Sequence, residues 1–318
     1  MPLKLVPDNT NIGFVRLRYI AFALTLALTI GSLALLATRG LNLGVDFVGG
    51  LTMEVEFKQP PELDALRTKV DSLGVGTSAL QEFGSPKNIL IRLPLPEGAD
   101  SGDQAAVQKV VAKVQTGLKS SYGDVKFRRV ESVSGKVSGE LISAGLWAVG
   151  LSMICVALFT WFRFEWYFGV STVVALVHDV IVTLGFFALT QLEFDLNVVA
   201  AVLTIIGYSL NDKVVIDDRI RENLRKYRSM DIGPIIDLSV NETLPRTVMT
   251  SITLLAALMA MLLLGPDVIF GFTAAMVLGI IIGTYSSIFV SSSLLISLGV
   301  KTRAEAPVQQ AERVAPRR

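Results

Sequence analysis

The chain is poor in the side chains that build metal centres and disulfides. Its 318 residues include one cysteine, Cys155, and one histidine, His178. These counts exclude an intrachain disulfide, a cysteine metal site and a multi-histidine metal site. A phosphate-binding loop is also missing, because Gly135-Lys136 lacks the upstream glycine and the following Ser or Thr. The sequence therefore predicts neither a cofactor nor a bound metal.

An excess of charge of one sign is lacking as well. The net charge is +1, so the composition gives no reason to predict nucleic-acid binding.

What the sequence has in abundance is long apolar runs. Runs of about 20 residues match a hydrocarbon core about 30 Å thick at 1.5 Å per helical residue. Six transmembrane helices are predicted: Tyr19–Ala37, Leu141–Phe162, Trp166–Leu192, Leu196–Ile216, Pro245–Leu264 (with Pro245 as its first residue) and Val268–Leu298.

Lys and Arg are distributed unevenly around these helices. With the N-terminus inside, the inner segments hold 16 of the 29 Lys and Arg residues, and the two short outer turns hold none. The predicted order is a cytoplasmic N-terminal segment (1–18), transmembrane helix 1 (19–38) and an outer soluble domain (39–138). Transmembrane helices 2–6 (139–300) follow, with a cytoplasmic segment near 217–244, and a disordered cytoplasmic tail (301–318) ends the chain.

The soluble domain alternates strand and helix patterns. Leu51–Phe57 has the period of two that is typical of a half-buried strand, and apolar residues from Leu63 to Leu73 recur at helical spacing. Thr77–Phe83 and Asn88–Leu93 predict two strands, Val107–Leu118 a second helix and Val125–Val133 a last strand. This βαββαβ order predicts an α+β, ferredoxin-like domain, so the chain is a polytopic α-helical membrane protein with one such domain.

Polar groups inside the predicted spans are candidates for function. His178 and Asp179 lie near mid-bilayer in the third helix, either as a hydrogen-bonded packing pair or as members of a protonation relay. Tyr208 and Asp212 are four apart and share a face of the fourth helix, with Asn211 beside them. Apolar residues 214–216 follow Asp212, which places the carboxylate inside the span. The alternative is that Asp212 and Lys213 mark the water interface.

Arg246, at the predicted start of the fifth helix, is the candidate partner of Asp212. Both lie toward the cytoplasmic ends of adjacent helices, so an ion pair is feasible and helix motion could couple to proton uptake. The alternative is an ordinary positive-inside arginine. The cluster from Asp217 to Glu222 is interpreted as a solvated helix face with the i,i+4 pairs Asp217–Arg221 and Glu222–Lys226.

Small residues form a stripe on the sixth helix. They recur at every fourth position and predict close helix packing rather than chemistry. The stripe consists of Gly279, Gly283, Ser287 and Ser291.

Four motifs carry a family resemblance. They are Gly44–Gly50 (GVDFVGG), Val177-His178-Asp179, Gly207–Asp212 (GYSLND) running into Asp218–Asn223 (DRIREN), and Thr243–Thr247 (TLPRT). In this order and spacing the chain resembles the SecF family, the smaller membrane subunits of bacterial SecD–SecF protein-export complexes. The resemblance implies half of a pseudo-symmetric RND-superfamily unit whose other half is SecD. It also implies an inner-membrane protein, with both termini cytoplasmic and the soluble domain periplasmic.

The resemblance further implies a transport role rather than an enzyme activity. SecD–SecF complexes use the proton-motive force to assist late steps of preprotein export through the SecYEG channel. Their proton-coupling carboxylate and arginine fall on Asp212 and Arg246. The implied partners are SecD, SecYEG, YajC, YidC, unfolded preprotein and membrane lipid. The chain departs from the family pattern at Lys213, where a Thr is usual, and this lysine either tunes Asp212 or points into the headgroups. Two other functions stay open: an assembly factor without proton conduction, and a small-molecule RND exporter.

Overall fold

The computed structural model describes residues 7, 10–83, 85–95 and 104–300. The predicted tail, 301–318, and most of the first nine residues lie outside the described residues. The chain forms two compact units. The smaller unit consists of Asn42–Trp147 and Glu193–Leu196, and the larger unit is made of the remaining segments.

The smaller unit contains a four-stranded antiparallel sheet. Its strands are β1 (Gly50–Glu56), β2 (Ala79–Phe83), β3 (Ser85–Leu93) and β4 (Lys126–Val133), in the spatial order β2-β3-β1-β4. Helices α3 (Leu63–Ser72) and α4 (Gln104–Tyr122) connect β1 to β2 and β3 to β4. The predicted βαββαβ ferredoxin-like arrangement is therefore confirmed.

Apolar residues of β1 form the centre of this domain. Leu51, Met53 and Val55 are buried with Phe57 against one face of each helix. The helices contribute Leu66, Val70, Val114 and Leu118. The alternation of apolar and polar residues in β1 thus correctly predicts which face of the sheet the helices cover.

A short helix that the sequence did not predict precedes β1. Helix α2 (Val45–Val48) ends at Gly49 and Gly50, which adopt φ angles of +73° and +117°. A Cβ atom on Gly50 would lie 2.7 Å from the carbonyl oxygen of Leu93 on β3. Glycine is needed here for the positive φ and for the close approach of the two backbones.

An ion pair joins β3 to the short turn near residue 193. Arg92 Nη2 lies 3.1 Å from Glu193 Oε1, an ion-pair distance without hydrogen-bond geometry. Arg92 Nη1 donates to the Leu43 carbonyl, and the Gly44 N–H donates to the Phe194 carbonyl. Burial raises the pKa of Glu193, and the nearby Arg92 guanidinium opposes part of that rise.

Among the described residues, six helical segments are long and apolar enough to cross a membrane. They are α1 (Arg18–Thr38) with the 3-10 turn before it, α5 (Gly135–Arg163), α6 (Trp166–Thr190), α7 (Leu196–Lys226), α8 (Ile232–Leu264), and a last segment made of α9 (Phe270–Tyr285), a π-helical stretch (Ser286–Ser291) and α10 (Ser292–Ser297). The fold-class prediction of a polytopic helical membrane protein with one α+β domain is confirmed.

Several helix boundaries differ from the prediction. Helix α7 continues ten residues past Ile216, and α5 begins at Gly135, directly after β4. Helix α8 begins at Ile232, so Pro245 lies inside it and not at its start. Ile216 and Ile220, at the start of this continuation of α7, are buried in one cluster with residues of α8. The free energy gained by this packing is larger than the cost of the one backbone hydrogen bond that Pro245 removes from α8.

The last transmembrane segment is not one regular helix. Ser286–Ser291 forms a π-helical stretch between α9 and α10. Such stretches are rare and occur frequently at functional sites. No composition signal in the apolar run from Val268 predicts it.

Candidate functional site

A buried ion pair connects α6 and α7. Lys213 Nζ lies 3.0 Å from Asp179 Oδ2, and the two side chains are 0% and 1% exposed. A lysine buried to this degree needs a counter-charge, because an isolated ammonium is strongly disfavoured away from water. Lys213 therefore points neither at Asp212 nor into the headgroup region.

Two serines complete the hydrogen bonding of this pair. Ser209 Oγ and Ser286 Oγ donate to Asp179 Oδ2 at 2.6 and 2.8 Å. Each hydroxyl also accepts a hydrogen bond from Lys213 Nζ, at 3.0 Å for Ser286. Ser286 is the first residue of the π-helical stretch, so the break in helix geometry falls where the stretch meets the ion pair. We call Asp179, Ser209, Lys213 and Ser286 the Asp179 network.

His178 extends the network on α6. Its Nδ1 lies 3.2 Å from Asp179 Oδ1, while its Nε2 is buried without a hydrogen-bond partner among the described residues. The predicted contact between the two side chains is present.

Asp212 makes no hydrogen bond or ion pair with the Asp179 network. Its side chain is 2% exposed, and Oδ2 is buried without a hydrogen-bond partner in the described part of the chain. No ion pair or hydrogen bond joins Asp212 to Arg246 among the described residues, although both Lys213 and Arg246 act on it electrostatically. The Asp212–Arg246 ion pair that the sequence makes feasible is not formed in this conformation, and Arg246 is exposed.

Tyr208 belongs to a separate chain of hydroxyl groups. Its hydroxyl lies 3.0 Å from Ser251 Oγ on α8, which lies 2.9 Å from Thr284 Oγ1 on α9. Tyr208 and Asp212 share a helix face as predicted, but no hydrogen bond connects them in this structure.

The interpretation of Asp217 as part of a solvated helix face is wrong. Asp217 is 1% exposed, and its Oδ2 accepts a hydrogen bond of 3.3 Å from Thr172 Oγ1 of α6. Arg221 lies beside Glu165 instead, at 3.8 Å. The Glu222–Lys226 pair is also not formed, since Glu222 accepts from Arg219. The physical reason is that α7 continues within the packed helices, so position 217 faces α6 and not water.

The stripe of small residues lies where helices approach closely. A Cβ atom on Gly279 would lie 2.9 Å from Ile205 Cγ2, and one on Gly283 would lie 3.1 Å from Ser209 Oγ, both on α7. Ser287 Oγ donates to the Gly283 carbonyl, and Ser291 Oγ lies 3.5 Å from Ser171 Oγ of α6. The stripe therefore packs against α7 at one end and α6 at the other.

Sequence reasoning missed Lys213, Ser209 and Ser286 as partners of Asp179. One usable signal was present, because Ser209, Lys213 and Asp217 recur at every fourth position and share a face of α7. No group of three or more His, Cys, Asp or Glu among the described residues is arranged to hold a metal ion.

Polar and small residues also line an exposed face of α7 and α8. We define the polar face by its exposed residues Thr204, Gly207, Asn211, Arg246 and Thr250. The two threonine hydroxyls donate within their own helices, to Ala200 and to Arg246 or Thr247. The Asn211 amide and the Arg246 guanidinium make no such bonds within the described chain.

Six membrane-length helices, one ferredoxin-like domain and a charged network buried between helices define a polytopic, RND-like membrane transport protein. Two family models match the chain: "Protein export membrane protein SecD/SecF, C-terminal" at residues 113–301, and "SecD/SecF GG Motif" at residues 34–61, which includes Gly49 and Gly50. The chain belongs to the SecD/SecF family of protein export membrane proteins.

Relatives and solved structures agree with this assignment. The chain is 42% identical to proteins named protein translocase subunit SecF from Rickettsia felis and Cereibacter sphaeroides, covering 92% and 94% of this chain and 94% and 93% of theirs. It is similar to the crystal structure of SecDF, a translocon-associated membrane protein from Thermus thermophilus, with a TM-score of 0.83 and 31% identity over 92% of this chain. The chain spans 39% of the length of that SecDF chain.

Proposed function

We propose that this chain acts as a SecF subunit which, with SecD, uses the proton-motive force to assist late steps of preprotein export through SecYEG. The names and coverage of the SecF relatives support the translocase role. The SecDF neighbour, which holds a much longer chain, supports a SecD partner. YajC, YidC and unfolded preprotein are proposed as further partners from the family resemblance.

The observation that carries the proton-driven role is the environment of Asp212. Its carboxylate is buried in a membrane-length helix, and one of its oxygens has no hydrogen-bond partner among the described residues. It is next in sequence to the ion-paired Lys213. A carboxyl group there can be held as a neutral acid, or as an ion when a cation approaches. Arg246 is the available cation on α8, so movement of α8 relative to α7 would exchange the two forms and couple proton uptake to helix motion.

The polar face supports a second membrane-embedded chain. An amide and a guanidinium directed at lipid are unfavourable, and such groups are normally satisfied by another helix. We assign this face to SecD. The distribution of Lys and Arg supports an inner-membrane orientation with both termini cytoplasmic and the ferredoxin-like domain periplasmic.

The test is Asp212→Asn in the assembled complex. Preprotein export into membrane vesicles is measured with and without a proton gradient, and co-purification of SecD is measured in parallel. We expect gradient-dependent stimulation to disappear while SecD remains bound. Glu140→Gln is the control, because Glu140 is an exposed carboxylate on α5. Normal gradient-dependent export in the Asp212→Asn complex would exclude the proton-driven role.

The polar face also favours a second candidate, a structural assembly factor without proton conduction. In that case Asp212→Asn is silent. Enlarging Gly279 or Gly283 is severe, because both glycines lie against α7. The two candidates therefore give opposite results in the same pair of measurements.

A further inference from the structure

Asp217 is a second buried carboxylate on α7 that the proposed role of Asp212 does not use. Its side chain is 1% exposed in a helix of membrane length. Oδ2 accepts one hydrogen bond, from Thr172, and Oδ1 is buried without a partner in the described part of the chain. A buried acid with half of its hydrogen-bonding capacity unused is costly, so it needs a reason beyond packing.

The position of Asp217 relates it to the Asp179 network. Ser209, Lys213 and Asp217 occupy one face of α7 at successive turns, which separates neighbouring members by about 6 Å along the helix. On α6, Thr172 and Asp179 are seven residues apart and therefore also share a face. The Thr172–Asp217 contact thus lies about one turn of α7 beyond the Asp179–Lys213 pair, toward the Lys226 end.

Buried hydroxyl groups occur on α6 and on the last transmembrane segment. Ser171, Thr172, Ser287, Ser291 and Ser293 are at most 1% exposed. Ser291 Oγ lies 3.5 Å from Ser171 Oγ, and Ser293 Oγ is buried without a partner among the described residues. A hydroxyl group can both donate and accept a hydrogen bond. Ser171 is the sequence neighbour of Thr172, so one of these hydroxyl groups lies next to the Thr172–Asp217 contact on α6.

The charges around Asp217 favour the binding of one proton by this carboxylate. Lys213 is the charged group that acts on it, and Thr172 is the polar group of α6 that touches it. Lys213 already pairs with Asp179. The charge of Lys213 is therefore already compensated by Asp179, so Asp217 adds a further buried negative charge unless it binds a proton.

We propose that Asp217 is a second proton-binding group of this chain, placed between the Asp179 network and the cytoplasmic water at the Lys226 end of α7. Binding adds one proton to a carboxylate oxygen and changes its charge from −1 to 0. Release returns the proton to water, so no other reactant is required. The inference rests on the proposed proton-driven function and on the orientation proposed with it.

The test compares Asp217→Asn, Asp217→Glu and Asp218→Asn in the assembled complex. Asp218 is the matched control, because it is the next residue and 57% exposed in a surface ion pair with Arg163. We expect Asp217→Asn to lower gradient-dependent export on the order of tenfold or more and to flatten its pH profile. Asp217→Glu restores the rate with a displaced pH profile, and Asp218→Asn behaves as the unchanged complex.

Infrared difference spectroscopy between low and high pH supplies a readout that a packing role does not move. The complex should show a protonated-carboxyl band that is lost in Asp217→Asn and retained in Asp212→Asn. If Asp217→Asn fails to fold, Thr172→Val, which removes the hydrogen bond to Asp217 and keeps the side-chain shape, should shift the same band. An unshifted band or an unchanged pH profile would overturn the role of Asp217.

The two proposals fail in different ways. If Asp212→Asn abolishes stimulation while Asp217→Asn leaves rate and pH profile intact, only the role of Asp217 is wrong. If Asp212→Asn leaves gradient-dependent export intact, the proton-driven function itself is wrong.

Discussion

At the scale of single residues, Asp179 and Lys213 depend on each other. Both are almost completely buried, and they meet at 3.0 Å with two serines bridging them. Removing one member of a buried pair leaves the other charge uncompensated, which typically destabilises a protein by about 3–5 kcal/mol. We therefore expect Lys213→Met to lower the free energy of unfolding by about that amount, measured by chemical unfolding of the purified chain in detergent.

A double-mutant cycle separates the interaction energy between Asp179 and Lys213 from the destabilisation that each substitution causes by itself. Lys213→Met with Asp179→Asn should be less destabilised than the sum of the single variants, by about 1–3 kcal/mol. Lys226→Met, an exposed lysine on the same helix, should change stability by no more than about 0.5 kcal/mol. Strict additivity of the two buried substitutions would contradict the pairing.

Only part of this network could be predicted from the sequence. Asp179, Asp212 and His178 stand out because ionisable residues are rare in apolar runs. The pairing of Asp179 with Lys213 joins positions 34 apart on different helices. Periodicity defines faces within one helix and cannot specify which face of the next helix it meets. Asp217 was misassigned for the same reason, since its charged neighbours suggested water while its own face of α7 is packed.

Glu193 provides a pH-dependent prediction outside the spans. Its folded pKa is raised, so the stability it contributes is full below its unfolded pKa of about 4.3 and is lost as the pH rises through the folded value. Arg92→Gln removes the opposing cation and raises the pKa of Glu193 further. We expect the stability loss of this variant to be about 1 kcal/mol larger at pH 8 than at pH 5.

Thermal unfolding at the two pH values measures this effect. Arg67→Gln is the control, because its Asp64 partner is 87% exposed, and its stability loss should be the same at both pH values. An equal loss at pH 5 and pH 8 for Arg92→Gln would show that Arg92 does not stabilise the ionised form of Glu193.

At the scale of elements, the sequence predicts the apolar parts of the transmembrane helices well and the ends of these helices poorly. Helix α8 was predicted to start at Pro245, although Asp231 and Pro234 mark the earlier start by ordinary helix-start signals. The π-helical stretch at Ser286–Ser291 could not be predicted, because it depends on contacts with α6 and α7.

Close helix packing gives a prediction at this scale. A Cβ atom on Gly185 of α6 would lie 2.8 Å from Ser32 Cα, a backbone atom of α1 that cannot move aside without shifting its helix. Gly185→Ala should therefore destabilise the chain by about 1–3 kcal/mol through overpacking. The change should appear as a lower melting temperature in detergent, by roughly 2–4 °C per kcal/mol.

Gly150→Ala supplies the matched control. Gly150 lies inside α5, and a Cβ atom there would meet nothing within 4 Å. Alanine is the better helix former by about 1 kcal/mol, so this variant should be neutral or slightly more stable. If both alanine variants melt alike, the close approach of α1 and α6 does not limit stability.

At the scale of the whole molecule, the described residues of α7 and α8 expose polar groups where other membrane helices expose apolar ones. Long apolar side chains cover the exposed surface of α5, as lipid requires. The polar face of α7 and α8 instead presents an amide and a guanidinium. The sequence predicted Asn211 and Arg246 as functional candidates individually, but their exposure on one surface emerges only from the packing of α7 and α8.

We therefore expect Asn211→Leu to weaken association with SecD. Hydrogen bonds between transmembrane helices are worth about 0.6–2 kcal/mol, so the dissociation constant should rise roughly 3-fold to 30-fold. Titration of labelled SecD in detergent or nanodiscs measures this directly. Ile154→Leu on the exposed surface of α5 is the control and should bind normally. Unchanged affinity in Asn211→Leu would assign the SecD contact to another surface, because leucine adds apolar area but removes every hydrogen bond that the amide could offer a partner helix.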